Sequence, residues 1–291
     1  MPRLQVLFAA ILFGTTGTAM ELGPDASPLA VGAARIAVGG ALLLLAARLI
    51  GARMPRDRRA IAGVALGIAV YQLSFFAAVD LTGVAVGTVV AIGTGPAVAG
   101  GLGALLNGEQ LTRRWVIATS LAGIGVALLV LGGSGDASIE PLGIVLAVIA
   151  GAGYGTYTVV SKGQLQRGAD PEGVMASGFA SAGILLLPVL LIAGPGFLAE
   201  PGGLALALYL GAIPTALAYV LFARGLRHLS SGETATIVLA EPVTAAALGM
   251  TVLDETPGTI ALVGAGLVLA GLAVLALPRR EEPTTADVVP A

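Results

Sequence analysis

Ten long apolar segments, at 4–20, 29–47, 60–79, 83–107, 115–132, 141–161, 173–193, 204–223, 232–252 and 259–277, fill this chain, and fourteen of its 15 Lys and Arg residues lie in alternate gaps between them. A helix of roughly 20 residues spans a bilayer. The segments therefore predict an all-α integral membrane protein with ten transmembrane helices, with the lipid bilayer as its first partner. One set of gaps holds Arg3; Arg48, Arg53, Arg56, Arg58 and Arg59; Arg113 and Arg114; Lys162 and Arg167; Arg224 and Arg227; and Arg279 and Arg280. The other set holds only acids: Glu21, Asp25, Asp80, Asp136, Glu140, Glu200, Asp254 and Glu255. Short basic loops stay on the cytoplasmic side, so both termini are expected there. With 11% charged residues the chain has too few charges for an ordinary wet surface.

The chain contains no Cys and one His, which removes disulfides, thiol nucleophiles and cysteine-based metal clusters from consideration. No metal, catalytic residue, cofactor or nucleic-acid partner is expected. Forty-three Gly suggest close helix packing. The pairs Gly63/Gly67, Gly83/Gly87 and Gly151/Gly155 have the spacing for it. Trp115, at the start of the fifth segment, reads as an anchor at the membrane interface.

Shifted by 146 positions, Thr88 falls on Thr234, Pro96 on Pro242, Gly103 on Gly249, Glu109 on Glu255 and Gly125 on Gly271. Phe13-Gly14-Thr15 also matches Tyr154-Gly155-Thr156, at a shift of 141. The chain reads as a duplication, with a first half at 1–138, a second at 139–278 and a tail at 279–291. Five segments is an odd number, so the second half crosses the membrane in the opposite sense. Inverted-topology repeats of this kind are common in secondary transporters.

The ten segments, the five-helix repeats, the runs Pro96 to Gly108-Glu109 and Glu241-Pro242 to Asp254-Glu255, and the Pro28 to Arg35 start of segment two resemble the drug/metabolite transporter superfamily, specifically its EamA-type exporters. Within that group the chain looks most like the YddG type of aromatic amino-acid exporter. The resemblance implies a secondary transporter in the inner membrane of a bacterium that exports amino acids, aromatic or otherwise apolar and zwitterionic, or related small metabolites. A drug exporter of the same superfamily is the alternative it leaves. The oligomeric state stays open.

Polar groups at membrane depth are costly and normally face the bundle interior. On that ground Thr15, Tyr71, Gln72, Phe75, Tyr154, Tyr157, Tyr219 and Glu241 are the candidate solute-binding residues. Arg35, Pro96, Pro214 and Pro242 are assigned structural or gating roles. For Glu241 two readings compete: its carboxylate satisfies backbone disturbed by Pro242, or it binds a solute amine or takes up a proton. Arg35 reads as a packing or topology residue, with a carboxylate clamp as the rival. Pro96, Pro188, Pro214 and Pro242 are all expected to interrupt their helices. A carrier of phosphorylated solutes would place several cations at depth, and only Arg35 is available. Two other classes fit less well. Gly133-Ser134-Gly135-Asp136 matches a membrane aspartyl protease pattern but falls in a gap and lacks a partner Asp, and a channel would share the repeats but not require the polar cavity.

Overall fold

The computed structural model describes residues 1–132, 140–254 and 256–277. The Gly133-Ser134-Gly135-Asp136 run, Glu255, the 138/139 boundary, Arg279, Arg280 and the tail lie outside the described residues. Among the described residues ten helices are long and apolar enough to cross a membrane: α1 (Pro2–Glu21), α2 (Pro28–Leu49), α3 (Arg58–Gly83), α4 (Val86–Asn107), α5 (Arg113–Leu131), α6 (Pro141–Gln166), α7 (Pro171–Ala193), α8 (Pro201–Leu226), α9 (Ser231–Val252) and α10 (Thr259–Ala276). No strand occurs among the described residues. The chain is a multi-pass, all-α membrane protein.

The helix starts follow from local chemistry. α1, α2, α6, α7 and α8 each begin on a proline, whose missing N–H would be unpaired in a first turn anyway. Asp57, Thr112 and Ser230 cap α3, α5 and α9 by accepting from free backbone N–H groups. α3 and α4 are separated by Gly83, whose φ of 78° and ψ of 160° reverse the chain. A Cβ on Gly87 would stand 3.2 Å from the amide nitrogen of Val79, although residues eight apart in a straight helix are about 12 Å apart. The Gly83/Gly87 spacing, expected to pack two helices, thus builds a hairpin.

Two of the four prolines expected to interrupt helices do so. Pro96 and Pro188 sit inside unbroken helices. Pro214 lies in a π-helical turn, Ala212–Leu217, and cannot donate to the Leu210 carbonyl; the Thr215 hydroxyl donates to it instead at 2.8 Å. α9 breaks before Pro242: Leu239 and Ala240 bond three residues back, and a new helix starts at Glu241.

Helix pairs meet through glycines in a reciprocal pattern. A Cβ on Gly40 would stand 2.6 Å from Phe179 O and 2.8 Å from Ala180 N, while one on Gly183 would stand 3.4 Å from both Ile36 O and Ala37 N. Gly40 and Gly183 are 143 positions apart, as are Ile36 and Phe179, and Ala37 and Ala180. α5 and α10 repeat the arrangement: Gly125 meets Gly264 O and Val268 N, and Gly271 meets Ala118 O and Ala122 N, every offset being 146. Both pairs run antiparallel. α1 packs on α8 and α9 as α6 packs on α3 and α4. Such exchange of contacts is what a two-fold axis produces. A leucine at Gly40 or at Gly183 should therefore destabilise the bundle by similar amounts, about 1–3 kcal/mol each through overpacking. Thermal unfolding of the two variants in detergent checks this; a large effect at one site and none at the other would break the equivalence.

Candidate functional site

Four of the five Tyr and five of the seven Phe form one chain of rings through the bundle. On α3, Phe76 meets Phe75 at 5.7 Å between centroids, and Phe75 meets Tyr71 at 5.8 Å. Tyr71 reaches Tyr154 of α6 at 6.1 Å, Tyr154 reaches Tyr157 at 5.3 Å, and Tyr157 reaches Tyr219 of α8 at 6.3 Å. Tyr219 is boxed by Phe13 of α1 at 4.8 Å, Phe179 of α7 at 4.2 Å and Phe222 at 5.8 Å. The Tyr157 and Tyr219 hydroxyls share a 3.0 Å hydrogen bond, which satisfies both in an apolar setting. The Tyr154 hydroxyl is buried without a partner.

Glycines create the room for these rings. Tyr154 lies over Gly95 of α4, and the Tyr157 Cβ lies over Gly67 of α3. Gly14 of α1 sits against Thr244 and the Glu241 carbonyl of α9, as Gly155 of α6 sits against Val98 and Ala99 of α4. Phe13 against Tyr219 is accordingly repeated by its offset mate Tyr154 against Tyr71.

Two charged side chains join this frame from opposite halves. An Arg35 guanidinium N–H donates to Gln72 Oε1 at 3.1 Å, and the Gln72 amide, with 2% exposure, is seated on Gly32. Glu241 begins the second helical piece of α9, where the positive end of a half-helix dipole faces it. Its carboxylate is within electrostatic reach of Arg35, Tyr71, Tyr154 and Tyr219. Among the described residues it accepts no hydrogen bond and forms no ion pair. The arrangement sets one cation and one anion, both partly exposed, beside an aromatic wall.

The structure thus brings together Tyr71, Gln72, Phe75, Tyr154, Tyr157, Tyr219, Glu241 and Arg35. It does not bring Thr15 to them: its hydroxyl donates to Leu12 O and accepts from Tyr209 near the surface. Pro242 and Pro214 flank the group, in the α9 break and the α8 π turn, and Pro96 follows the Gly95 that receives Tyr154. Phe179 and Phe222 had no sequence signal, being apolar residues among apolar residues, whereas Phe13 was marked by the match of Phe13-Gly14-Thr15 to Tyr154-Gly155-Thr156.

The EamA-like transporter family model matches residues 3–131 and again 141–277. This chain belongs to the EamA-like transporter family. It is 38% identical over 284 residues to an uncharacterized transporter, YwfM, of Bacillus subtilis, covering 97% of this chain and 95% of that one. It is 28% identical over 291 residues to a probable terminal-alkyne amino-acid exporter of Streptantibioticus cattleyicolor, covering 96% of each. A crystal structure with 20% sequence identity superposes with a TM-score of 0.83 over 94% of this chain and 96% of its own, which shows the shared fold.

In this EamA-like transporter the basic end of the bundle is tied together by ion pairs between helices. Arg3 binds Glu233 at 2.7 Å, Arg224 binds Glu172 at 2.6 Å and Arg167 binds Asp57 at 3.4 Å. Arg114 donates to the carbonyls of Val274, Leu275 and Leu277. Glu109 accepts from the Ser231 amide at 2.8 Å and its hydroxyl at 3.0 Å, so the end of α4 caps α9. Lys162, placed by the sequence in a solvated gap, is instead buried in the last turn of α6 and donates to Leu226 O and Arg227 O at the end of α8. A cavity of about 380 Å³ opens here, lined by Asn107, Glu109, Lys162, Gln166, His228 and Glu233. Trp115 also departs from expectation: its ring is wedged between Gly100 and Gly232 and its indole N–H donates to Thr236, so it locks α5 to α9 instead of anchoring the interface.

Asp170 at this end accepts two hydrogen bonds from the Arg53 side chain and one from its backbone amide, with Arg227 at 3.6 Å. The Arg53 side-chain bonds, then its amide, hold the carboxyl down at about 2. An unfolded Asp titrates near ~3.9, so its stabilising contribution is complete above about pH 4 and is lost as pH falls toward 2. Asp170→Asn should flatten that part of the acid unfolding curve.

Proposed function

We propose that this chain is a secondary transporter of the inner membrane of a bacterium that exports amino acids, aromatic or otherwise apolar and zwitterionic, or related small metabolites. The halves at 1–138 and 139–278 are inverted repeats with both termini cytoplasmic, and they rock about the central ring cluster by alternating access. The observation that carries the reading is the placement of Arg35 and Glu241, on opposite five-helix segments, within electrostatic reach of each other and of one chain of aromatic rings, on a frame whose contacts are reciprocal and antiparallel. The double family match and the amino-acid exporter among the relatives support it. Tyr71, Gln72, Phe75, Tyr154, Tyr157, Tyr219 and Glu241 contact the solute.

Counterflow of labelled amino acids in proteoliposomes tests the function. Saturable uptake accelerated by unlabelled solute on the far side is the expected result; linear flux, or conductance without counterflow, would contradict it. Cysteines placed near Arg58 or Arg113 should react only from the cytoplasm, and one near Glu200 only from outside. Reaction of both sets from one side would overturn the inverted topology.

A further inference from the structure

We propose that Arg35 and Glu241 set solute specificity by reading opposite ends of a zwitterion, the guanidinium taking the carboxylate and Glu241 the ammonium. This rests on the amino-acid transporter reading of the same cavity and assigns the groups that enforce it.

The two charges are not required by the frame that holds them. At the offsets measured in their own helices, Arg35 corresponds to Gly178 and Glu241 to Gly95. The equivalent positions of the other half thus pack with no side chain at all. A charge at membrane depth is costly, so each needs a use.

Mutual neutralisation is not that use. Within electrostatic reach of each other, Arg35 and Glu241 make no ion pair; Arg35 spends one N–H on Gln72 and Glu241 accepts nothing among the described residues. Gln72 is the positioning residue. Its amide nitrogen packs over Gly32 with no hydrogen-bond partner and its Oε1 holds the guanidinium, leaving the other donors of the fork for a planar acceptor such as a carboxylate. Glu241 lies within electrostatic reach of Tyr154, whose hydroxyl is buried and unpartnered, and of Tyr71 and Tyr219, the last two also within reach of Arg35. A carboxylate, a hydroxyl oxygen and aromatic faces together suit an ammonium, which has three donors and is attracted to ring faces.

The halves matter as well. Arg35 belongs to the first and Glu241 to the second, so a zwitterion touches both, and a solute lacking either charge leaves one ion at membrane depth uncompensated. An amine drug without a carboxylate meets the aromatic wall and Glu241 but not Arg35. Specificity then arises from the unpaired charge left behind.

The test uses phenylalanine, phenylalaninamide, which lacks the carboxylate, and 3-phenylpropionate, which lacks the ammonium. Affinities for all three are measured on the purified full chain by competition and counterflow, with unfolding temperatures as a fold control. Wild type should prefer phenylalanine over each analogue by at least about tenfold, because a site built around a buried polar group rejects the analogue missing its partner. Arg35→Gln should lose the preference over the amide, and Arg35→Lys should recover part of it. Glu241→Gln should lose the preference over 3-phenylpropionate alone. If Arg35→Gln does not fold, Gln72→Ala, which keeps both charges and frees the guanidinium, should reduce the preference over the amide while retaining that over 3-phenylpropionate. A wild type that carries all three equally, or charge variants that keep their selectivity, overturns the assignment and leaves the transporter reading standing. A wild type that carries none of the three, yet counterflows a solute without these groups, overturns the amino-acid reading itself.

Discussion

Glu241→Gln should leave the bundle folded and reduce amino-acid uptake by one to two orders of magnitude, which is on the order of 1.4–2.8 kcal/mol of lost solute binding. The fold survives because the amide has nearly the shape of the carboxylate, and no hydrogen bond among the described residues depends on its charge. Binding suffers because a solute ammonium loses its counterion at membrane depth. The same variant decides a question of energetics. If Glu241 carried protons across the membrane, a side chain that cannot ionise would abolish the response of uptake to an imposed pH gradient. A carboxylate neutralised by the solute's own ammonium has no such duty, so the residual uptake of the variant should respond to the gradient by the same factor as wild type. Uptake into proteoliposomes with and without the gradient separates the two, and a response confined to wild type would make Glu241 the coupling group.

Scarcity made part of this site legible in advance. In a chain with 4% aromatics, tyrosines in the middle of apolar segments are conspicuous, and a hydroxyl in hydrocarbon must find a partner; Tyr71, Tyr154, Tyr157 and Tyr219 all lie in the ring chain. Glu241 was visible for the same reason, as a charge at depth. Thr15 shows the limit of that argument. A threonine on a helix can satisfy its hydroxyl on its own turn, as Thr15 does on Leu12, so its polarity says nothing about which way it faces. Lys162 was misplaced because its long apolar stem lets the helix run a further turn while the ammonium seeks carbonyls. Trp115 was misread because its slot is made by Gly100 and Gly232, on two helices that only the fold brings together. The prolines divide for a local reason as well. α9 takes up three-residue bonds at Leu239 and Ala240 and restarts at Glu241, whereas α4 carries Pro96 with its helix intact.

Removing the ties at the basic end should open the cavity from that side. Glu109 joins the end of α4 to the start of α9, and Arg3 joins α1 to Glu233 of α9. Each tie links the two halves, and neither can be copied at the acidic end. Ser231 corresponds by offset to Ala85, which has no hydroxyl, and Arg3 and Glu233 correspond to Ile144 and Gly87, which have no charge. A carrier built from reciprocal halves but tied by ionic contacts at one end only will rest closed at that end. Hydrogen bonds to charged groups are worth about 1.5–3 kcal/mol each, so Glu109→Ala with Glu233→Ala should shift the balance of states by at least about tenfold. Ser161 is a suitable reporter. It is fully buried, and it lies one turn from Tyr157 on the same face of α6, toward Lys162 and the basic end. Because the chain has no native Cys, Ser161→Cys supplies a single thiol, whose reaction with a polar, membrane-impermeant reagent can be timed from each side of the membrane. In the otherwise native chain that reaction should be slow from the side carrying the basic gaps. In the Glu109→Ala/Glu233→Ala background it should speed up about tenfold from that side alone, with Glu233→Gln giving a smaller change if the double variant unfolds. An unchanged rate in a folded variant would mean that these contacts only brace the helix ends, and that the bundle is held closed by the glycine-packed pairs α2–α7 and α5–α10.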